Sequence, residues 1–162
     1  VVILHDGALR QVQGKWGIID PFDPDHVQPA SIDLTLGNEF IANGARFAVA
    51  ERCPIAPREF ILGTTVERVF MPAHFVGKVM GRSSWARKGL GVETAGLIDP
   101  GFRGQITVEL YNYSADTLYL PIGGRICQMT VETMSGTAER PYGSKGLGSH
   151  YQNQSGPTPS AL

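Results

Sequence analysis

The sequence predicts a mainly β fold, a distorted β-barrel or jelly roll with one or two short helices, and three observations predict it. Short runs of apolar residues recur along the chain, several alternating with polar ones at period 2. Gly and Pro are frequent, 20 and 11 in 162 residues, and Gly, Pro or Asn separates most of those runs. Only one short segment leans toward a helix. Many short strands joined by tight turns are the pattern of barrels and jelly rolls.

Taken in order, residues 1–30 show little pattern. Ile18-Ile19-Asp20-Pro21-Phe22-Asp23-Pro24 carries two prolines, so a loop or extended segment is expected there. Ser31-Ile32-Asp33-Leu34-Thr35-Leu36-Gly37 alternates apolar and polar residues, which predicts a half-buried strand ending at Gly37, with residues 38–42 as its continuation. Further strands are expected over residues 60–65, 67–71, 75–80, 106–112, 117–120 and 125–133. Ser83-Ser84-Trp85-Ala86-Arg87-Lys88 opens with two residues suited to an N-cap and stops at Gly89, which predicts one or two helical turns. Residues 141–162 hold almost no aliphatic side chains and cannot build a core of their own. The expected organisation is therefore a β domain over residues 1–140 and a flexible C-terminal arm over residues 141–162, either a disordered end or an arm that orders over a ligand or a neighbouring subunit.

The bulk numbers narrow the function. Hydrophobic residues make up 42% and charged residues 18% of the chain, a globular balance. The net charge is −1, and the densest basic cluster is Arg82, Arg87 and Lys88. That balance argues against a general nucleic-acid binder, so any phosphate must be held by a local site. No stretch is apolar enough to span a membrane and no leader opens the chain, so a cytoplasmic protein is expected. Cys53 and Cys127 read as two buried thiols.

Four motifs bear on chemistry. Gly81-Arg82-Ser83-Ser84 precedes the short helix and brings two hydroxyls and a guanidinium together, which suits phosphate; it equally suits a capped helix start with a surface Arg. Ser83 and Arg87 are four apart and share a helix face. Asp99-Pro100-Gly101-Phe102 has the form of a type II turn, next to small residues that permit close backbone approach. In Ile106-Thr107-Val108-Glu109-Leu110-Tyr111-Asn112, the apolar side chains take one face, while Thr107, Glu109 and Tyr111 take the other. Glu109 is then either a solvated outer residue or a carboxylate lining a site. None of the four histidines has Glu two residues later and no Cys-x-x-Cys occurs, so a zinc nucleobase-deaminase site is not expected. A Walker A loop and a Gly-x-Ser-x-Gly elbow are also missing.

Together these pieces resemble the dCTP deaminase family, which shares its fold with the trimeric dUTPases. Gln28-Pro29-Ala30-Ser31-Ile32-Asp33-Leu34 is similar to its early strand signature, and Gly81-Arg82-Ser83-Ser84-Trp85-Ala86-Arg87 to its central motif. Thr94-Ala95-Gly96-Leu97-Ile98-Asp99-Pro100-Gly101-Phe102 and Val108-Glu109-Leu110-Tyr111-Asn112 follow in the family's order, and Tyr151-Gln152-Asn153-Gln154-Ser155-Gly156-Pro157-Thr158 resembles its C-terminal arm. The resemblance implies a homotrimer with active sites shared between subunits. It implies Glu109 as the general base on a water attacking cytosine C4, with Arg87 holding Glu109 ionised. Ser83 and the Ala95 backbone would hold the water and the leaving amine. Arg82 and Ser84 would join the triphosphate site, with Mg²⁺ on the phosphates and no zinc. Thr94 and Phe102 would contact the nucleoside, Phe102 against the deoxyribose, and Tyr142 and Gln154 would come in from the tail.

Some features point toward dUTP hydrolysis. Asp99 matches the aspartate that dUTPases use to direct water at the α-phosphorus, and Gly124-Arg125-Ile126-Cys127-Gln128-Met129 resembles a dUTPase phosphate motif with Gln128 as the contact. The Thr-Ala-Gly-x-Ile-Asp form is similar to that of bifunctional members. Between Arg87 and Ala95 the chain is one residue shorter than the deaminases, Glu93 stands near a position where they often carry His, and His150 stands where a tail lysine is common. The activity expected is deamination of dCTP, with or without hydrolysis of the dUTP formed. The alternatives are a dUTPase alone and a non-catalytic nucleotide-binding regulator.

Overall fold

The computed structural model describes residues 2–93 and 95–161. In chain order the elements are β1 (Val2–Ile3), α1 (Asp6–Trp16), β2 (Ile19–Asp20), a 3-10 turn (Pro24–His26), β3 (Val27–Gln28), β4 (Ser31–Thr35), β5 (Glu39–Ala42), β6 (Ala45–Ala48), β7 (Arg52–Ile55), β8 (Phe60–Phe70), β9 (Phe75–Gly81), α2 (Ser83–Ala86), β10 (Leu90–Glu93), β11 (Leu97–Ile98), β12 (Arg103–Asn112), β13 (Leu118–Pro121) and β14 (Arg125–Thr133).

One sheet runs β11-β9-β14-β4-β3, with β1 also on β14; the other runs β10-β12-β8-β5-β6, with β2 on β8; β7 and β13 form a separate ribbon. The pairings between these strands are antiparallel. The fold is mainly β and jelly-roll-like, as the alternation predicts; its sheets stay open and do not close into a barrel. Between them lies a core that includes Ile32, Leu34, Phe40, Val108, Leu110 and Met129. Cys53 and Cys127 are free and buried in that core. Among the described residues no helix is long and apolar enough to cross a membrane.

β14 occupies the residues expected of it, and β9 and β13 fall within a residue. Four expectations need correction. Residues 60–65 and 67–71 fall on one strand, β8, which ends at Phe70 and carries a bulge at residues 65–67 in place of a break. β4 is buried on both faces: Ser31, Asp33 and Thr35 are enclosed like their apolar neighbours, and the charged side chains of Glu67, Arg82 and Arg125 meet Asp33 and Thr35 on its polar face. α2 is a single turn whose N-cap is Arg82, with no side-chain cap; Ser83 and Ser84 lie inside the turn, so one turn offers little dipole for an anion. α1 went unpredicted in the segment with least pattern, although its stop signal, Gly17 in the left-handed region at φ 57°, is ordinary. Its N-cap is His5, whose imidazole accepts from the Gly7 N–H, an unusual start.

The ladder between β12 and β8 slips at one point. Gln105 pairs with Arg68 and Thr107 with Thr64, so residues 65–67 of β8 face Ile106 alone. Such a bulge frees backbone groups and re-aims side chains. Here the Thr65 hydroxyl accepts from the Ile106 N–H at 2.9 Å and donates to the Glu67 carbonyl at 2.8 Å.

Candidate active site

A cavity of about 890 Å³ opens beside β12, large enough for a nucleotide-sized ligand. Val79, Ile98, Phe102 and Ile106 give it an apolar floor. Strand parity places Glu109 in its wall: Val108 and Leu110 are fully buried in the core, so Glu109 between them projects the other way, beside Thr107. Asp99 enters from the turn ahead of β12. That turn closes through Phe102 N–H donating to the Asp99 carbonyl at 3.0 Å, with Gly101 at φ 91°, as the Pro-Gly sequence predicts. Ala95 and Gly96 form part of the rim.

The C-terminal segment covers this cavity with Tyr142, His150, Tyr151, Gln154 and Thr158. Tyr142 tilts against Phe102, ring centres 5.8 Å apart, and its phenol oxygen accepts from the Tyr151 N–H at 2.9 Å. An aromatic wall, two carboxylates and amide and hydroxyl groups on the cover can hold a flat polar ring and activate water beside it.

Of the residues singled out in the sequence, Glu109, Asp99, Ala95, Phe102, Tyr142 and Gln154 line this one cavity. Arg82, Ser83, Ser84, Arg87 and Gln128 do not line it. Ser83, Ser84 and Arg87 are exposed on and just after α2. Gln128 is half-buried on β14. Thr94 lies outside the described residues. Arg82 is engaged elsewhere: its Nε lies 3.4 Å from Oδ1 of buried Asp33, and Arg125 Nη1 lies 3.4 Å from Oδ2. The Trp85 indole N–H donates to the Arg125 carbonyl at 3.1 Å, tying α2 to this ionic cluster. Sequence reading passed over Asp33 as an ordinary strand position and over Thr107 as a cavity residue, although Thr107 shares the parity of Glu109.

The dCTP deaminase-like family model matches residues 41–134, more than half of the chain. The chain belongs to the dCTP deaminase-like family. Relatives of this dCTP deaminase-like chain are enzymes by name. The protein called dCTP deaminase, dUMP-forming, from Corynebacterium efficiens is 41% identical over 181 residues, covering 98% of this chain and 93% of that one. Its namesake from Bifidobacterium longum is 43% identical over 180 residues, with coverage of 98% and 93%. Solved structures share the fold. The 2'-deoxycytidine 5'-triphosphate deaminase from Agrobacterium tumefaciens superposes with a TM-score of 0.71 at 20% identity, over 82% of this chain; this chain spans only 48% of that one. The EIAV dUTPase superposes with a TM-score of 0.53 at 22% identity, over 74% of this chain and 88% of that one.

Proposed function

We propose that this member of the family deaminates dCTP and hydrolyses the dUTP formed, with dUMP, diphosphate and ammonia as the final products. The observation that carries this reading is the presence of two carboxylates, Glu109 and Asp99, on the wall of a single cavity. Each reaction adds one water, and each water needs a base. Glu109 takes a proton from the water that attacks C4 of cytosine, and the amine leaves as ammonia. Asp99 directs a second water at the α-phosphorus, and diphosphate leaves. Phe102 lies under the deoxyribose and leaves no room for a 2′-hydroxyl, while Tyr142 and Gln154 close from the arm. The name dUMP-forming, borne by relatives matched over nearly their whole length, supports the two-step course.

Arg82, Ser83, Ser84, Arg87 and Gln128 belong to the same chemistry only if another copy of the chain supplies them, so the working unit in this proposal is a homotrimer with shared sites. Mg²⁺ held by the substrate's triphosphate would offset part of its charge. Among the described residues no group of three or more His, Cys, Asp or Glu could hold a metal ion.

A mass-resolved time course with dCTP and dUTP supplied separately tests the reading. Ammonia and diphosphate are both expected from dCTP. Glu109→Gln should stop ammonia release while leaving diphosphate release from dUTP, and Asp99→Asn should do the reverse. Undiminished ammonia release by Glu109→Gln overturns the assignment. Diphosphate from dUTP without ammonia from dCTP would mean a dUTPase alone, which the Asp99 placement and the dUTPase fold also suit.

A further inference from the structure

Among the described residues, β10 covers β12 from Glu109 to Asn112 and leaves the edge of β12 before that to another segment. The C-terminal arm takes it. Gln154 bridges Gly104 in parallel, the Asn153 N–H donates to the Arg103 carbonyl at 2.6 Å, and the Gln105 N–H donates to the Gln154 carbonyl at 3.1 Å. Backbone pairing of this kind works with almost any sequence; two side chains of β12 make it specific.

Gln105 sits at the bulge. Its Nε2 donates to the Thr65 carbonyl at 2.8 Å, a group the slipped ladder leaves for it. That fixes the amide so that Oε1 faces outward and accepts from the Gly156 N–H at 2.7 Å. Two residues on, Thr107 Oγ1 accepts from the Thr158 N–H at 3.0 Å. Two further on, Glu109 faces the cavity. One row of alternate residues on one strand therefore holds the arm and presents the carboxylate.

We propose that Gln105 and Thr107 are positioning residues for the reaction: they clasp residues 154–158 in fixed register with Glu109 and so set how tightly the arm closes on the nucleotide. The clasp rests on the reading of this cavity as the dCTP site. In this proposal the clasp acts on the arm and not on the reacting atoms, so its loss weakens substrate binding and leaves the chemical step in place.

The test uses Gln105→Met and Thr107→Val, which keep volume and lose the acceptors, with Thr107→Ser as the conservative variant. In nucleotide-free protein, exchange at the Gly156 and Thr158 amides should rise about tenfold as each loses its partner, while exchange in β14 stays at the parental rate. KM for dCTP should rise about tenfold with kcat changed less than about threefold. Thr107→Ser should recover most of what Thr107→Val loses. Parental exchange at both arm amides in both variants overturns the clasp. So does raised exchange with an unchanged KM, or a rise in β14 exchange that marks general loosening. If the parent releases no ammonia from dCTP, the dCTP reading fails instead, and the exchange of the two arm amides still decides the clasp.

Discussion

Asp33 is 1% exposed, yet it faces two guanidinium groups at 3.4 Å each and has no close hydrogen bond at Oδ1. Its value lies in charge balance: without it, Arg82 and Arg125 would face each other with no counter-charge between them. Asp33→Ala should therefore lower unfolding stability by about 2 kcal/mol, reduced from the fully buried case because both arginines reach solvent, and a urea titration measures it. The thiols make a second case. Burial, reinforced by the Glu59 carboxylate, pushes the Cys53 thiol from 9.0 up to about 11, and burial, with the Glu67 and Asp33 carboxylates, raises Cys127 further. An unfolded chain would release these protons first, so stability should fall as pH climbs from 9.0 through about 11, and at neutral pH neither thiol should react with a thiol reagent until the protein unfolds. Denaturant midpoints at pH 8 and pH 10 read the sign directly. At this scale Glu109 was legible, because parity alone decides which way a strand residue points. Arg82 was not legible, because an arginine near two serines suits phosphate as well as it suits a carboxylate more than forty residues earlier in the chain.

Among the elements, the arm depends on two glycines. Gly101 adopts φ 91°, and a Cβ there would come within 2.6 Å of Pro141 Cβ and 3.0 Å of the Tyr142 backbone. Gly104 adopts φ 151°, and a Cβ there would meet the Gln154 backbone at 3.0 Å. Gly101→Ala should push the root of the arm off the turn at a cost of about 1–3 kcal/mol, seen as faster proteolysis within residues 141–162 while the β domain resists. β12 could be read from alternation because one side of it meets the core. β4 read as half-exposed because alternation reports side-chain chemistry, and its polar face is buried by ionic partners that no local window contains. α1 hid for a related reason: only Leu9 and Val12 of its eleven residues are fully buried, and Gly7 and Gly14 interrupt the helical composition.

For the molecule as a whole, the mainly β, jelly-roll-like class followed from strand count and spacing, while the opening of the sheets in place of a closed barrel did not. Glu109, Asp99, Phe102, Tyr142 and Gln154 converge on one cavity; Ser83 on α2 and Arg87 just after it sit outside that convergence. Light scattering after gel filtration should give three times the chain mass of 17.5 kDa, and a stable monomer with full activity would refute the shared-site arrangement.

The position of α2 has a consequence for heredity as well as for chemistry. If the site is shared between subunits as proposed, a lesion at Arg87 and a lesion at Glu109 would damage different halves of each catalytic centre, and neither defect would be confined to the polypeptide that carries it. Arg87→Ala and Glu109→Gln proteins, each inert when purified alone, should regain turnover once unfolded together in equal amounts and refolded, because about a quarter of the junctions in a randomly assembled ring pair two undamaged halves.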